Sequence, residues 1–175
     1  MLVWLAKVKR LLVTILFFVV ASAASAQRMV ILVRHAEKAT DSNEPGVPLS
    51  EAGRARAARL AQMLAGTGIT SVYVTETERA RQTAGPLAKA LKLELRTYPS
   101  RDPAGNLAPL ILVDRLKRDD SAGTVLVVGH QNTVPELIAA LGSPDRIEIG
   151  DRDFDDLFIV VPKPGSLPTV VRLKY

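Results

Sequence analysis

Two hydrophobic rhythms divide this chain. Short, unbroken apolar runs rich in β-branched residues alternate with longer stretches whose apolar residues recur every three or four positions. The first rhythm marks strands buried on both faces and the second amphipathic helices. Residues 29–33, 72–74 and 124–128 carry the strand pattern, and 93–95 form a shorter candidate. Residues 49–64 read as a helix, with Ser50 as N-cap and Ala57, Leu60, Met63 and Leu64 on one face, stopped by Gly66 and Gly68. A second helix places Ala80, Ala84, Leu87, Ala88 and Leu91 on a stripe; Pro86 inside it implies a kink or a later start. Residues 107–116 predict a third helix. Val134, Leu137, Ile138 and Leu141 mark a fourth, with Pro135 in its first turn, where proline is tolerated. Residues 157–161 and 169–173 read as closing strands around a turn at 162–168. This alternation predicts an α/β fold: a three-layer sandwich with a mainly parallel central sheet and helices on both faces.

The first 26 residues stand apart. Lys7, Lys9 and Arg10 precede an apolar run at 15–20, and small residues follow, ending in Ala24-Ser25-Ala26. Such an order describes a secretory signal peptide cleaved after Ala26, leaving residues 27–175 as one exported domain, periplasmic or secreted. The competing reading is an uncleaved anchor, for which the apolar run at 11–26 is short against the ~20 residues a spanning helix needs. Without the leader's three cations the net charge falls from +5 to +2. With so mild a balance and only 5% aromatic residues, no nucleic-acid footprint and no polybasic membrane patch stands out. Cysteine is absent, which excludes disulfides, thiolate zinc sites and cysteine nucleophiles.

Only two histidines occur, and both follow strand runs: residues 30–33 lead into Arg34-His35, and 125–128 into Gly129-His130. Ligands of open α/β sheets bind beyond the carboxyl ends of the strands, so both imidazoles are expected at one sheet edge. The segment Thr75-Glu76-Thr77-Glu78-Arg79-Ala80-Arg81-Gln82-Thr83 follows the 72–74 strand and enters a helix, and so belongs to the same edge. A helix N-terminus favours anions, and arginines at 34 and 79 supply forked donors matched to phosphate oxygens.

RHAEK (34–38), TETERARQTA (75–84), VVGHQNTVPEL (127–137) and PLSEAGRARA (48–57) together resemble, in order, the motifs of the histidine phosphatase superfamily, also called phosphoglycerate-mutase-like. The resemblance implies a phosphatase that uses His35 as nucleophile, with Arg34, Arg79 and His130 as the phosphate pocket. It implies hydrolysis of a phosphomonoester or phosphohistidine through a phosphohistidine intermediate, without metal or cofactor. A neutral imidazole, with an ordinary pKa of about 6.5, is a competent nucleophile near neutral pH. The expected partner is a phosphorylated small molecule or a phosphoprotein, and nothing indicates the oligomeric state. The alternative class is a phosphate- or protein-binding module that keeps the fold without turnover.

Two departures bear on that choice. Ala36 replaces the glycine usual after the nucleophile, a cost if the backbone there needs positive φ. Thr75 replaces the usual serine and keeps a hydroxyl. The acid for the leaving group is open: Asp102, in the 98–106 loop, is the candidate, against a plain solvated aspartate. Glu37 is a candidate to orient substrate or a site group, or it faces water. Asn132 and Thr133 either donate to phosphate or to the loop around His130, or cap the helix that follows.

Overall fold

The computed structural model describes residues 29–118, 123–163 and 165–175. The expected leader at 1–26 lies outside the described residues. Six strands form one sheet: β1 (Met29–Arg34), β2 (Ile69–Thr75), β3 (Leu95–Tyr98), β4 (Thr124–Gly129), β5 (Asp156–Lys163) and β6 (Ser166–Lys174), in the order β3-β2-β4-β1-β5-β6. β3, β2, β4 and β1 run parallel, while β5 and β6 add antiparallel to β1 and to each other. Helices α1 (Glu51–Leu64), α2 (Glu78–Leu91), α3 (Pro109–Arg118) and α4 (Thr133–Ala140) complete the chain.

Both sheet faces are covered, which is why β1 and β4 are apolar at nearly every position. Ile31, Val33, Leu126 and Val128 pack with Leu60 and Leu64 of α1 and Leu87 of α2. Val30, Leu32, Val125 and Val127 pack on the opposite side with Leu112 and Leu116 of α3 and Leu137 and Ile138 of α4. The three-layer architecture expected from the alternation is the observed one. Successive side chains on a strand point to opposite faces, so a strand between two helical layers has no solvent-facing side to fill with polar residues.

Several boundaries differ from the sequence reading. The short strand expected at 93–95 is Leu95–Tyr98, because Lys92 turns the chain through a left-handed C-cap (φ 55°) and pairing with β2 begins only at Leu95. The third helix starts at Pro109 rather than 107, after an isolated bridge between Arg101 and Leu107. α2 runs through Pro86 from Glu78 to Leu91, so the later start is not adopted. Met63, expected on the apolar face of α1, is exposed. The broad turn expected at 162–168 is a tight hairpin, with pairing reaching Lys163 and Ser166.

The topology brings three strand ends together. β4 sits between β2 and β1, and its register sets Arg34 level with Gly129 and Val74 level with Val128. His35 N–H extends the ladder by donating to the Gly129 carbonyl at 2.9 Å. The residues following β1, β4 and β2 therefore emerge side by side, where the strand order reverses.

Candidate active site

A cavity of about 560 Å³ opens over these strand ends, lined among others by Arg34, His35, Glu76, Arg79, Arg101 and His130. The two imidazole centroids are 5.2 Å apart with the rings at 68°. The structure thus brings together His35, Arg34, Arg79 and His130 from three separate strand–loop junctions.

His35 is buried, and its Nδ1 lies 2.8 Å from the carbonyl oxygen of Ala36. A carbonyl oxygen only accepts, so Nδ1 carries the hydrogen and Nε2 keeps its lone pair. Burial, with the field of His130, Arg79 and Arg34, lowers the His35 pKa to about 3 even though the Ala36 contact works the other way. Burial and the Arg79 charge lower His130 to about 4, with Glu76 opposing. Both rings are therefore neutral near pH 7.

Arg34 and Arg79 are also buried, yet each is only partly satisfied. Arg34 Nη1 donates to the carbonyls of Gly150 (2.9 Å) and Asp151 (3.0 Å), which fixes the loop before β5, and its guanidinium lies 4.1 Å over the Phe154 ring. Arg79 Nη1 donates to the Glu44 carbonyl at 3.0 Å. The Nε of each arginine is buried with no hydrogen-bond partner. Burial lowers both guanidinium pKa values, offset in part by neighbouring carboxylates. Unpaired charged donors beside a cavity are costly unless an anion occupies it, and a tetrahedral oxyanion matches their planar forks. Among the described residues no group of three or more His, Cys, Asp or Glu converges as a metal-binding cluster would.

The motif residues around Arg79 act as clasps. Thr83 Oγ1 donates to the Arg79 carbonyl (2.7 Å) and accepts from Ala36 N–H (3.0 Å), tying α2 to the residue after His35. Gln82 Oε1 accepts from Leu49 N–H at 2.8 Å. Ala36 is buried and is not among the positive-φ residues, so the glycine usual there is not required by the backbone. Arg81 faces away, donating to Thr97 Oγ1 at 3.0 Å. The first N–H of α2 is taken by the Pro45 carbonyl at 2.9 Å.

Other expected site residues fall elsewhere. Glu37 does not line the cavity: both its oxygens are held by Arg56 at 2.7–3.0 Å, so it braces the segment behind His35 and is not placed to orient substrate. Asp102 does not line it either, because its oxygens accept from Asn106 N–H (2.9 Å) and Nδ2 (3.2 Å), closing a small loop. Thr133 does reach the cavity wall, but its hydroxyl is used by the His130 backbone, accepting from His130 N–H at 2.7 Å. That contact requires Gly129, since a Cβ there would stand 2.7 Å from Thr133 Oγ1 and 3.3 Å from Tyr98 Oη. Asn132 lines the cavity and makes no side-chain cap for α4.

The sequence reading missed Phe154, which sits under Arg34 and 6.3 Å from His35. It also passed over Glu76, whose carboxylate accepts from Ser100 Oγ (2.8 Å) and Ser100 N–H (3.2 Å) across two loops. Its place directly after a strand, as with His35 and His130, was the available signal.

Residues 30–100 match the family model described as the histidine phosphatase superfamily (branch 1). That match spans the segment that carries Arg34, His35 and Arg79. No curated protein matches the chain. Its fold is shared by the protein histidine phosphatase SixA complexed with tungstate: TM-score 0.68, 23% identity, 83% of this chain and 96% of that one. The alpha-ribazole phosphatase from Shigella flexneri aligns with TM-score 0.68 at 17% identity, over 84% of this chain and 96% of its own. A mycobacterial glucosyl-3-phosphoglycerate phosphatase aligns with TM-score 0.63 at 16% identity, over 85% and 98%. At these identities the likeness is one of fold.

Proposed function

We propose that this chain is a phosphatase that moves a phosphoryl group onto His35 Nε2 and then to water. The observation that carries the reading is the tautomer lock. With Nδ1–H on the Ala36 carbonyl, the neutral imidazole presents its Nε2 lone pair within the cavity that Arg34, Arg79 and His130 share. Attack by Nε2 forms the phosphorus–nitrogen bond and expels the leaving group, and the guanidinium forks and the His130 imidazole hold the non-bridging oxygens as charge shifts. In the second step water displaces phosphate and the electron pair returns to Nε2. Metal is not needed for either step.

The substrate is a phosphomonoester or a phosphohistidine, on a small molecule or a protein. Support comes from the histidine phosphatase model match over residues 30–100 and from similarly folded proteins described as a protein histidine phosphatase, an alpha-ribazole phosphatase and a glucosyl-3-phosphoglycerate phosphatase. The alternative of a binding module is weakened, since Ala36 has no positive φ that would call for glycine. The leader pattern supports action outside the cytoplasm, to be checked by fractionating cells that express the full chain.

The decisive assay is hydrolysis of 4-nitrophenyl phosphate in EDTA by the parent and by His35→Ala. Turnover and an acid-labile phosphoenzyme in the parent, both absent from the variant, are the expected result. Equal turnover in the variant, or dependence on an added divalent ion, would refute the reading.

A further inference from the structure

We infer that Glu76 is the base that takes the proton of the attacking water when the phosphoenzyme is hydrolysed. The inference rests on the proposed His35 intermediate and adds a proton acceptor for its hydrolysis. Glu76 is the only carboxylate among the described residues lining the cavity, which otherwise presents the cations Arg34, Lys38, Arg79 and Arg101. It stands one residue beyond β2, the strand beside β4, whose end carries His130.

Its carboxylate is held in a fixed orientation. Ser100 Oγ–H donates to Oε1 and Ser100 N–H to Oε2, so each oxygen has one donor and keeps lone pairs for a water. Both donors favour the ionised form. Burial raises the Glu76 pKa, but hydrogen bonds from its own backbone and from Ser100, with the field of His130, outweigh it and leave the group below the ordinary glutamate value. An ionised carboxylate at neutral pH has no proton for a leaving group. It is suited to accept one.

The step balances without a further reactant. A water O–H proton passes to a Glu76 oxygen as the water oxygen attacks phosphorus. The P–Nε2 bond breaks and its electron pair stays on Nε2, while Nδ1–H remains on the Ala36 carbonyl. His35 is restored as a neutral imidazole, inorganic phosphate leaves, and the Glu76 proton is lost to solvent. The first step lacks a donor of this kind, so its rate depends on how well the leaving group departs alone.

The test is Glu76→Gln, which keeps the size of the side chain and its acceptor for Ser100. With 4-nitrophenyl phosphate the variant is expected to release one equivalent of nitrophenol in a burst. It then turns over about 10²–10⁴-fold more slowly while acid-labile phosphoenzyme accumulates, the range typical of a lost general base. The acid limb of the parent pH profile should vanish in Glu76→Gln and move to higher pH in Ser100→Ala, where the carboxylate loses the Oγ–H donor of that residue and keeps only its backbone N–H. Turnover of Glu76→Gln within about threefold of the parent, well short of that range, would overturn the inference. So would slowing without phosphoenzyme accumulation, which places the loss in the first step. A parent that forms no phosphoenzyme would instead refute the proposed function itself.

Discussion

At the scale of single residues, the site is made of groups that the fold leaves unsatisfied. Arg79 is buried, has one bond to a loop carbonyl, and an Nε without a partner. Its position contributes little to stability and suits the proposed binding of an anion. Arg79→Met keeps the length of the stem and removes the charge, so the fold should be as stable or more so, because a buried unpaired cation is replaced by an apolar side chain. Activity should fall by about 10²–10³-fold, the usual loss for one donor to a transition-state oxygen. Steady-state kinetics beside a thermal melt would show the split; a variant that melts far below the parent would contradict it. This imbalance also explains what was legible. His35 and His130 follow matching strand runs, so local pattern alone placed them at one edge. The directions of Glu37, Asp102 and Glu76 depend on Arg56, Asn106 and Ser100, and no local pattern reveals which partner a carboxylate will find.

At the scale of elements, strands and helices followed from periodicity, while their junctions followed from contacts remote in sequence. α1 shows the difference. Its N-cap was legible: Ser50 Oγ accepts from Gly53 N–H at 3.0 Å. The need for glycine at 53 was not, since it comes from the crossing of the segment after His35. A Cβ on residue 53 would lie 2.3 Å from the Glu37 carbonyl oxygen, which also accepts from Ser50 N–H at 2.9 Å. Gly53→Ala must push α1 away from that segment. The expected cost is about 1–3 kcal/mol, as for overpacking elsewhere. Because Glu37 follows His35, the proposed nucleophile, by two residues, kcat should fall along with stability. Denaturant unfolding and kinetics on the same variant check both, and a neutral substitution would mean that the crossing is looser than drawn. The β5–β6 hairpin shows the same limit, since Asp156 heads β5 through its ion pair with Arg172 at 2.7 Å, sixteen residues away along the chain.

At the scale of the whole molecule, two buried neutral histidines tie folding to pH. Their folded-state pKa values of about 3 for His35 and about 4 for His130 lie below the ordinary value of about 6.5 expected in the unfolded chain, with burial the largest cause for each. As pH falls below about 6.5 the unfolded chain takes up protons that the folded chain refuses, so stability declines; above that value these groups contribute no slope. Each pKa unit of difference is worth about 1.4 kcal/mol, and the loss for the pair by pH 4 is on the order of a few kcal/mol. Carboxylates held low by partners, such as Asp156 with Arg172 and Lys174, lose their contribution only as pH approaches and passes below the ordinary carboxylate value near 4. A decline that begins between about pH 6.5 and 5 is therefore the histidine part. Chemical denaturation at successive pH values should show this early slope in the parent and a shallower one in His130→Asn, which retains a polar side chain without a proton to gain. Equal slopes in the two proteins would mean that the cavity does not exclude water from the imidazoles as its geometry implies. Phosphate reads the same cavity from the other side: at a hundred times its Kd it should add about 2.7 kcal/mol by binding only the folded chain, and Arg79→Met should lose most of that gain.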